Sequence, residues 1–133
     1  MLTGSCLCGG IQYEIQSELG DIMQCHCQNC RKANGAAFAA NAGIPTNAFN
    51  LLKGQELVSE YESTPGVFRV FCQRCASPLY SRRPSMPDIL RLRIGTLDTK
   101  IDKTPSFHIF VDSKAEWHNI CDDIPQHKEF PTS

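Results

Sequence analysis

A chain of 133 residues with 41% hydrophobic side chains is long enough to form one domain with its own apolar core. Its formal net charge of −1 gives no general attraction for nucleic acid or for an anionic membrane surface, so we expect neither as a partner. The sequence has no apolar stretch of the roughly 18 residues that suggest a membrane-spanning helix, and it begins without a secretory signal, which predicts a cytoplasmic protein.

The N-terminal segment predicts a β-hairpin. Residues 11–15 alternate apolar and polar side chains, which is typical of a half-buried strand. Gly9 and Gly10 precede this run and provide a turn, so we expect a short first strand that carries Cys6 and Cys8. Since side chains two residues apart on a strand share a face, both sulfur atoms would reach the same point.

Strand patterns predominate in the rest of the chain as well. Gly35 limits the one helical segment, residues 27–37, to a turn or two. In residues 89–94, Leu90 and Leu92 fall on the face opposite to Arg91 and Arg93. The other predicted elements are strands at 67–72, 79–80 and 107–111 and a short element at 115–120. These patterns predict a mainly β fold.

The chain shows no repeat, linker or low-complexity tract that would divide it. We therefore expect a single zinc-binding domain over residues 1–133, with a core at about 4–121. Pro125 and Pro131 flank the last residues, which predicts a loose tail at 126–133.

Seven of the eight cysteines form three tight clusters, and thiolates at such spacing usually converge on a metal ion. The clusters are Cys6 and Cys8, then Cys25, Cys27 and Cys30, then Cys72 and Cys75. Zinc is the expected ion because it accepts four thiolates in a tetrahedron. Disulfides are less favoured, because no secretory signal is present and the chain can bury a core without them. Seven ligands divide into a closed, structural set of four and an open, reactive set of three.

The spacing leaves the division of the ligands open. Two hairpins would be joined by one ion if Cys6 and Cys8 shared it with the 72–75 pair. The 72–75 pair fits equally well with Cys25 and Cys27, which would leave Cys6 and Cys8 spare. A fourth ligand for the triplet has several candidates: His26, His108, His118 and Cys121.

A triplet without a fourth protein ligand is open to an external soft ligand, and a thiol is the natural one. A small thiol such as glutathione is therefore the expected partner. Arg31 and Lys32 directly follow the triplet and are the predicted cations for the carboxylates of such a ligand, whereas Arg82 and Arg83 are expected on an ordinary solvated surface. The apolar neighbours of His108 favour a structural role for it, and the role of His26 stays open.

The motifs GSCLCGGIQYEI, CHCQNCRKANGAAF, FCQRCASPLY, RIGTLD and PSFHIFVDSKAEWH, in this order, resemble the glutathione-dependent formaldehyde-activating enzyme family, which includes relatives of centromere protein V. The resemblance extends over residues 4–118. It implies a β-tent fold of antiparallel sheets pinned by a four-cysteine zinc site. The implied ligands of this structural zinc are Cys6, Cys8, Cys72 and Cys75.

The same resemblance implies a second, catalytic zinc on Cys25, Cys27 and Cys30 that is labile towards glutathione. The family activity is the condensation of formaldehyde with glutathione to S-(hydroxymethyl)glutathione, classed as a carbon–sulfur lyase. No residue beyond the second zinc site is assigned a catalytic role. The alternative function is a non-catalytic zinc-binding module for protein interaction or for thiol and zinc buffering.

Two positions depart from the family pattern. Ala76 follows the last clustered cysteine, where the family usually has glycine. If this position requires a positive φ, alanine costs about 1 kcal/mol there. Glu116 replaces a proline in the segment before Trp117. Neither change alters a predicted ligand.

Overall fold

The computed structural model describes residues 1–131 of the chain. Strands dominate this part, with one short α-helix and four single-turn 3₁₀ helices. The strands and the α-helix are β1 (Leu2–Ser5), β2 (Gln12–Ile15), β3 (Ile22–Cys25), α1 (Gln28–Asn34), β4 (Ala39–Pro45), β5 (Phe49–Lys53), β6 (Val58–Thr64), β7 (Val67–Cys72), β8 (Pro78–Arg82), β9 (Ile89–Arg93) and β10 (Pro105–Ile109). The predicted mainly β class is confirmed. No helix in the described part of the chain combines the length and hydropathy needed to cross a membrane.

Two sheets form the molecule. The smaller has the order β1-β2-β5, and the larger has the order β10-β3-β4-β9-β8-β7-β6. All neighbouring strands are antiparallel except β10 and β3, which are parallel. The larger sheet therefore brings β10 beside β3, whose last residue is the first cysteine of the triplet.

The main apolar core lies between the two sheets. Tyr13 and Ile15 of β2 pack in one buried cluster with residues of β4 and β9, among them Ile44 and Leu92. The alternation predicted for β9 is confirmed, since Leu90 and Leu92 are buried in this cluster. The other face of the larger sheet is thereby left free to carry polar side chains, and the candidate site lies there.

The first cysteine pair lies in a turn and not on the first strand as predicted. β1 ends at Ser5, and the backbone N–H of Gly9 donates to the carbonyl of Cys6 at 3.0 Å. The N–H of Cys6 donates to the carbonyl of Ile11 at 3.1 Å. These bonds close a tight loop between β1 and β2, and the loop turns both sulfur atoms towards the turn between β7 and β8.

The C-terminal segment is attached to β10, whereas the sequence predicts a loose tail at 126–133. The N–H of His127 donates to the carbonyl of His108 at 3.0 Å, and the N–H of Val111 donates back to the carbonyl of His127 at 3.1 Å. β10 would otherwise present an open edge, and pairing satisfies its backbone groups. Residues 132 and 133 lie outside the described residues.

Ala76 lies in the turn after β7 with a φ of +65°, so this position has the left-handed conformation in which alanine is strained. We expect Ala76→Gly to raise the free energy of unfolding by about 0.5–1 kcal/mol, because glycine adopts this conformation without strain. Ala33→Gly, in α1, is the matched control and should lower the free energy of unfolding by up to about 1 kcal/mol. Urea denaturation of both variants measures these shifts. A loss of stability in Ala76→Gly would contradict the expected relief of strain.

Candidate metal centres and the adjoining cavity

Four cysteines from two distant turns meet at one point. Their Sγ atoms all lie within 4.8 Å of one another, and the set consists of Cys6, Cys8, Cys72 and Cys75. The Sγ atom of Cys8 is 3.5 Å from that of Cys6 and 3.9 Å from that of Cys72. Four thiol donors at this spacing fit a tetrahedral, thiophilic ion such as zinc. Of the two pairings that the spacing left open, the structure has the one that joins the N-terminal loop to the β7–β8 turn.

Hydrogen-bond donors surround these sulfur atoms. The backbone N–H of Ile11 donates to the Sγ atom of Cys6 at 3.2 Å, and Nε of Arg74 donates to that of Cys8 at 3.3 Å. The backbone N–H of Gly10 and the guanidinium of Arg74 lower the pKa of Cys8. Donors of this kind favour the thiolate, which is the form that binds metal.

The cysteine triplet lies where β3 ends and α1 begins. The Sγ atoms of Cys25, Cys27 and Cys30 lie within 4.8 Å of one another. Cys27 is the N-cap of α1, and its Sγ atom accepts a hydrogen bond from the N–H of Cys30 at 3.3 Å. Gly35 ends the helix in a left-handed conformation with a φ of +61°. One strand end and one helical turn thus aim three sulfur atoms at a common centre.

The hydrogen bonds within the triplet favour the thiolate at one cysteine and the protonated thiol at another. Hydrogen bonds from Cys25 and Cys30 lower the pKa of Cys27 to about 2. The hydrogen bond with Cys27, followed by the hydrogen bond with Cys30, raises the pKa of Cys25 above its usual range. Within this coupled group the negative charge is therefore favoured on Cys27 and the proton on Cys25. No His, Cys, Asp or Glu among residues 1–131 joins these three in the same group.

His26, between two cysteines of the triplet, faces away from this group and is fully buried. Its Nε2 atom is 2.8 Å from Nδ1 of His108, and Nε2 of His108 is 3.0 Å from both carboxylate oxygens of Asp122. Burial, followed by the charge of His108, lowers the pKa of His26 to about 4, so its ring is neutral at pH 7. With the ring of His26 neutral, its Nε2 can donate to Nδ1 of His108, and Nε2 of His108 can donate to the carboxylate of Asp122. This chain of bonds holds the triplet loop to β10 and to the segment after it.

The other proposed fourth ligands also lie elsewhere. His118 stacks on His26 with ring centroids 5.9 Å apart. Cys121 is exposed, and its Sγ atom lies 3.6 Å from the carbonyl oxygen of Asn119.

A cavity of about 220 Å³ opens beside the cysteine triplet. The sulfur-bearing residues of the triplet form part of its wall, together with four arginines, Arg69, Arg83, Arg91 and Arg93. The guanidinium nitrogens of Arg69 lie 3.7 and 3.8 Å from the Sγ atom of Cys30. Desolvation lowers the pKa of Arg93 to about 10, so this buried side chain is still charged at neutral pH.

The cations predicted from the sequence lie outside this wall. Neither Arg31 nor Lys32 lines the cavity, although both follow the triplet in α1. Of the two arginines expected on the surface, Arg82 forms an ion pair with Glu60 at 2.7 Å, and Arg83 lines the cavity. The alternation in β9 was the signal for Arg91 and Arg93, because it placed both on the face away from the core.

The attached C-terminal segment supplies one aromatic wall. The ring of Phe130 packs edge-on against Phe110 with centroids 5.1 Å apart. The guanidinium carbons of Arg83 and Arg91 lie 5.7 and 5.2 Å from the centroid of the Phe130 ring. Phe110 has a φ of +56°, an unusual conformation for an aromatic residue and one that clusters at functional sites. Nothing in the sequence pattern signals Phe130 as part of a site.

Comparisons with known proteins found similar sequences and a similar fold. A family model described as "Glutathione-dependent formaldehyde-activating enzyme" matches residues 1–113. A Halomonas elongata protein named "Putative glutathione-dependent formaldehyde-activating enzyme" is 30% identical over 129 residues, which cover 90% of this chain and 81% of that protein. A Schizosaccharomyces pombe protein named as an uncharacterized lyase is 30% identical over 77 residues, or 58% of this chain and 54% of that protein. The crystal structure of a Rhodobacter sphaeroides protein has the same fold, with a TM-score of 0.64 at 20% identity over 93% of this chain and 98% of that chain.

Proposed function

The chain belongs to the glutathione-dependent formaldehyde-activating enzyme family, and we propose that it is a zinc-dependent enzyme of the carbon–sulfur lyase type. Its proposed substrates are glutathione or a similar thiol and a small aldehyde such as formaldehyde. The observation that supports this most directly is that three converging sulfur atoms form part of the wall of a cavity. A purely structural site would be closed by a fourth protein ligand.

Each cysteine set has its own proposed role. Cys6, Cys8, Cys72 and Cys75 hold a structural zinc, since four sulfur donors complete its shell. Cys25, Cys27 and Cys30 hold a second zinc. When bound there, zinc supplies a Lewis acid that keeps a substrate thiol ionised at pH values well below the free thiol pKa of about 8.5.

The side chains of the cavity then prepare the reaction. The thiolate sulfur forms a bond to the carbonyl carbon, the electron pair of the C=O bond moves to oxygen, and that oxygen takes up a proton. A guanidinium group in the cavity wall stabilises the negative charge on this oxygen. Arg69 is the arginine proposed for this role, because its Nη2 atom lies 3.7 Å from the Sγ atom of Cys30. Ile109, Phe110 and Phe130 form an apolar wall that limits water around the reacting atoms.

Metal removal and return test the proposed function. The zinc-loaded protein should accelerate formation of S-(hydroxymethyl)glutathione by about 10²-fold or more over the uncatalysed reaction. Exchange spectroscopy by NMR measures this rate with glutathione and formaldehyde. A chelator that empties the triplet should abolish the acceleration, and added zinc should restore it. If the protein with zinc at both cysteine sets leaves the uncatalysed rate unchanged, this activity is contradicted.

A further inference from the structure

The cavity beside the triplet carries more positive charge than its own walls balance. Among the described residues that line it, four are arginines and none is aspartate or glutamate. Within residues 1–131, none of the four forms an ion pair with a carboxylate. Three thiolates would balance only three of these charges, and a bound divalent cation would increase the excess.

Polar atoms in the wall are also unsatisfied. Arg93 is only 6% exposed, and its Nη1 donates a hydrogen bond to the carbonyl of Arg91 at 3.2 Å. Nε of Arg83 and Oδ1 of Asn41 are buried without a hydrogen-bond partner among the described residues. Buried polar groups are normally paired, because leaving one unpaired costs about 1–3 kcal/mol. Nε of Arg83 is a donor and therefore marks a place where a ligand supplies the missing acceptor, whereas Oδ1 of Asn41 calls for a donor that a carboxylate lacks.

Three of the four arginines lie on paired strands, and Arg83 directly follows the last residue of β8, two residues after Ser81. Ser81 of β8 lies opposite Arg69 of β7 on one side and opposite Arg91 of β9 on the other. Two residues along β9, Arg93 lies opposite Asn41 of β4. Residues that are paired across strands, or two apart along one, share a face. A rigid sheet thus presents three of the guanidiniums beside the triplet.

We propose that this cavity is a carboxylate site, in which Arg83, Arg91 and Arg93 bind an anionic group carried by the substrate. Guanidinium groups match carboxylates because two parallel N–H donors meet two oxygens. Formaldehyde has no such group. The carboxylate therefore belongs either to the thiol, as in glutathione, or to the carbonyl compound, as in a 2-oxo acid. This inference rests on the proposed function, because it assigns a substrate class to the same cavity.

Calorimetric titration of the zinc-loaded protein distinguishes the two sources. S-methylglutathione, which has no free thiol, is compared with its diethyl ester, in which neither carboxyl group carries a charge. Glycolate, which stands for a carboxylated carbonyl compound, is compared with ethylene glycol. In at least one pair the carboxylate should bind about tenfold more tightly than its counterpart without a carboxylate. Preference in the first pair assigns the carboxylate to the thiol, and preference in the second assigns it to the carbonyl compound.

Neighbouring arginines provide the matched variants. Arg83→Gln should weaken binding of the preferred carboxylate about tenfold, because it removes a charged donor from the wall. Arg82→Gln should change the affinity for this carboxylate by less than about twofold, because Arg82 pairs with Glu60 at the surface. Equal binding within both ligand pairs, or equal effects of the two substitutions, would overturn the carboxylate site.

The carboxylate site and the proposed enzyme activity fail in different ways. Zinc-dependent turnover without any preference for carboxylates would overturn the carboxylate site and leave the activity standing. Carboxylate binding that depends on Arg83, in a protein whose triplet takes up no metal, would support the site and contradict the zinc-dependent activity. Circular dichroism of both glutamine variants checks that the sheet is intact.

Discussion

Replacing Cys72 with serine is expected to cost the protein most of its stability. Cys72 is fully buried, and its proposed ion joins the loop after β1 to the turn after β7. Metal binding contributes about 10 kcal/mol or more to the folding of small zinc peptides, and whole domains are stable by about 5–15 kcal/mol. Loss of one ligand should therefore lower the free energy of unfolding of the zinc-bound protein by about 5 kcal/mol or leave no cooperative transition.

Denaturation monitored by circular dichroism, with metal content measured on the same samples, checks the stability prediction. Cys121→Ser is the matched control, because Cys121 is exposed and belongs to neither cysteine set. It should keep the wild-type transition. A Cys72→Ser protein that unfolds at the wild-type denaturant concentration would show that the four sulfur atoms do not hold a structural ion.

Replacing Cys27 with serine is expected to abolish turnover and leave the fold intact. Cys27 is the N-cap of α1, and serine is a favoured N-cap residue, so the helix should keep its capping hydrogen bond. The substitution removes one of the three sulfur donors, and two cysteines alone hold zinc poorly. The rate of thiol–aldehyde condensation should fall to the uncatalysed value.

The NMR exchange assay used for the wild-type protein measures this loss, and thermal unfolding should show a change of less than about 1 kcal/mol, as expected for a conservative exchange at a helix cap. Unchanged turnover in Cys27→Ser would end the idea that metal at the triplet takes part in the reaction.

Local spacing predicted the three cysteine clusters because short-range geometry brings neighbouring thiols together without knowledge of the fold, but it left open which clusters share an ion. The short helix that carries Cys30 could also be predicted from the sequence, since Gly35 ends it after two turns. β4 was not predicted, because its sequence AANAGIP is poor in the β-branched and aromatic residues typical of strands. It forms a strand because it pairs on both sides, with β3 and with β9.

The cavity depended on tertiary structure that the sequence does not signal. Arg69 and Arg83 lie far from the triplet in sequence, and only the order of strands in the larger sheet brings them to it. Phe130 reaches the cavity because the C-terminal segment pairs with β10, an attachment made by backbone hydrogen bonds that leave no pattern in the side chains. Proximity in sequence instead pointed to Arg31 and Lys32.

The stoichiometry of zinc binding, titrated under reducing conditions without added thiol, tests whether two separate sulfur centres hold metal in this protein. The wild-type chain should bind two ions, and the Cys27→Ser chain should bind one and remain folded. Saturation of the wild-type protein by a single ion, or two ions still held by Cys27→Ser, would contradict the division of the seven cysteines into a closed centre and an open one.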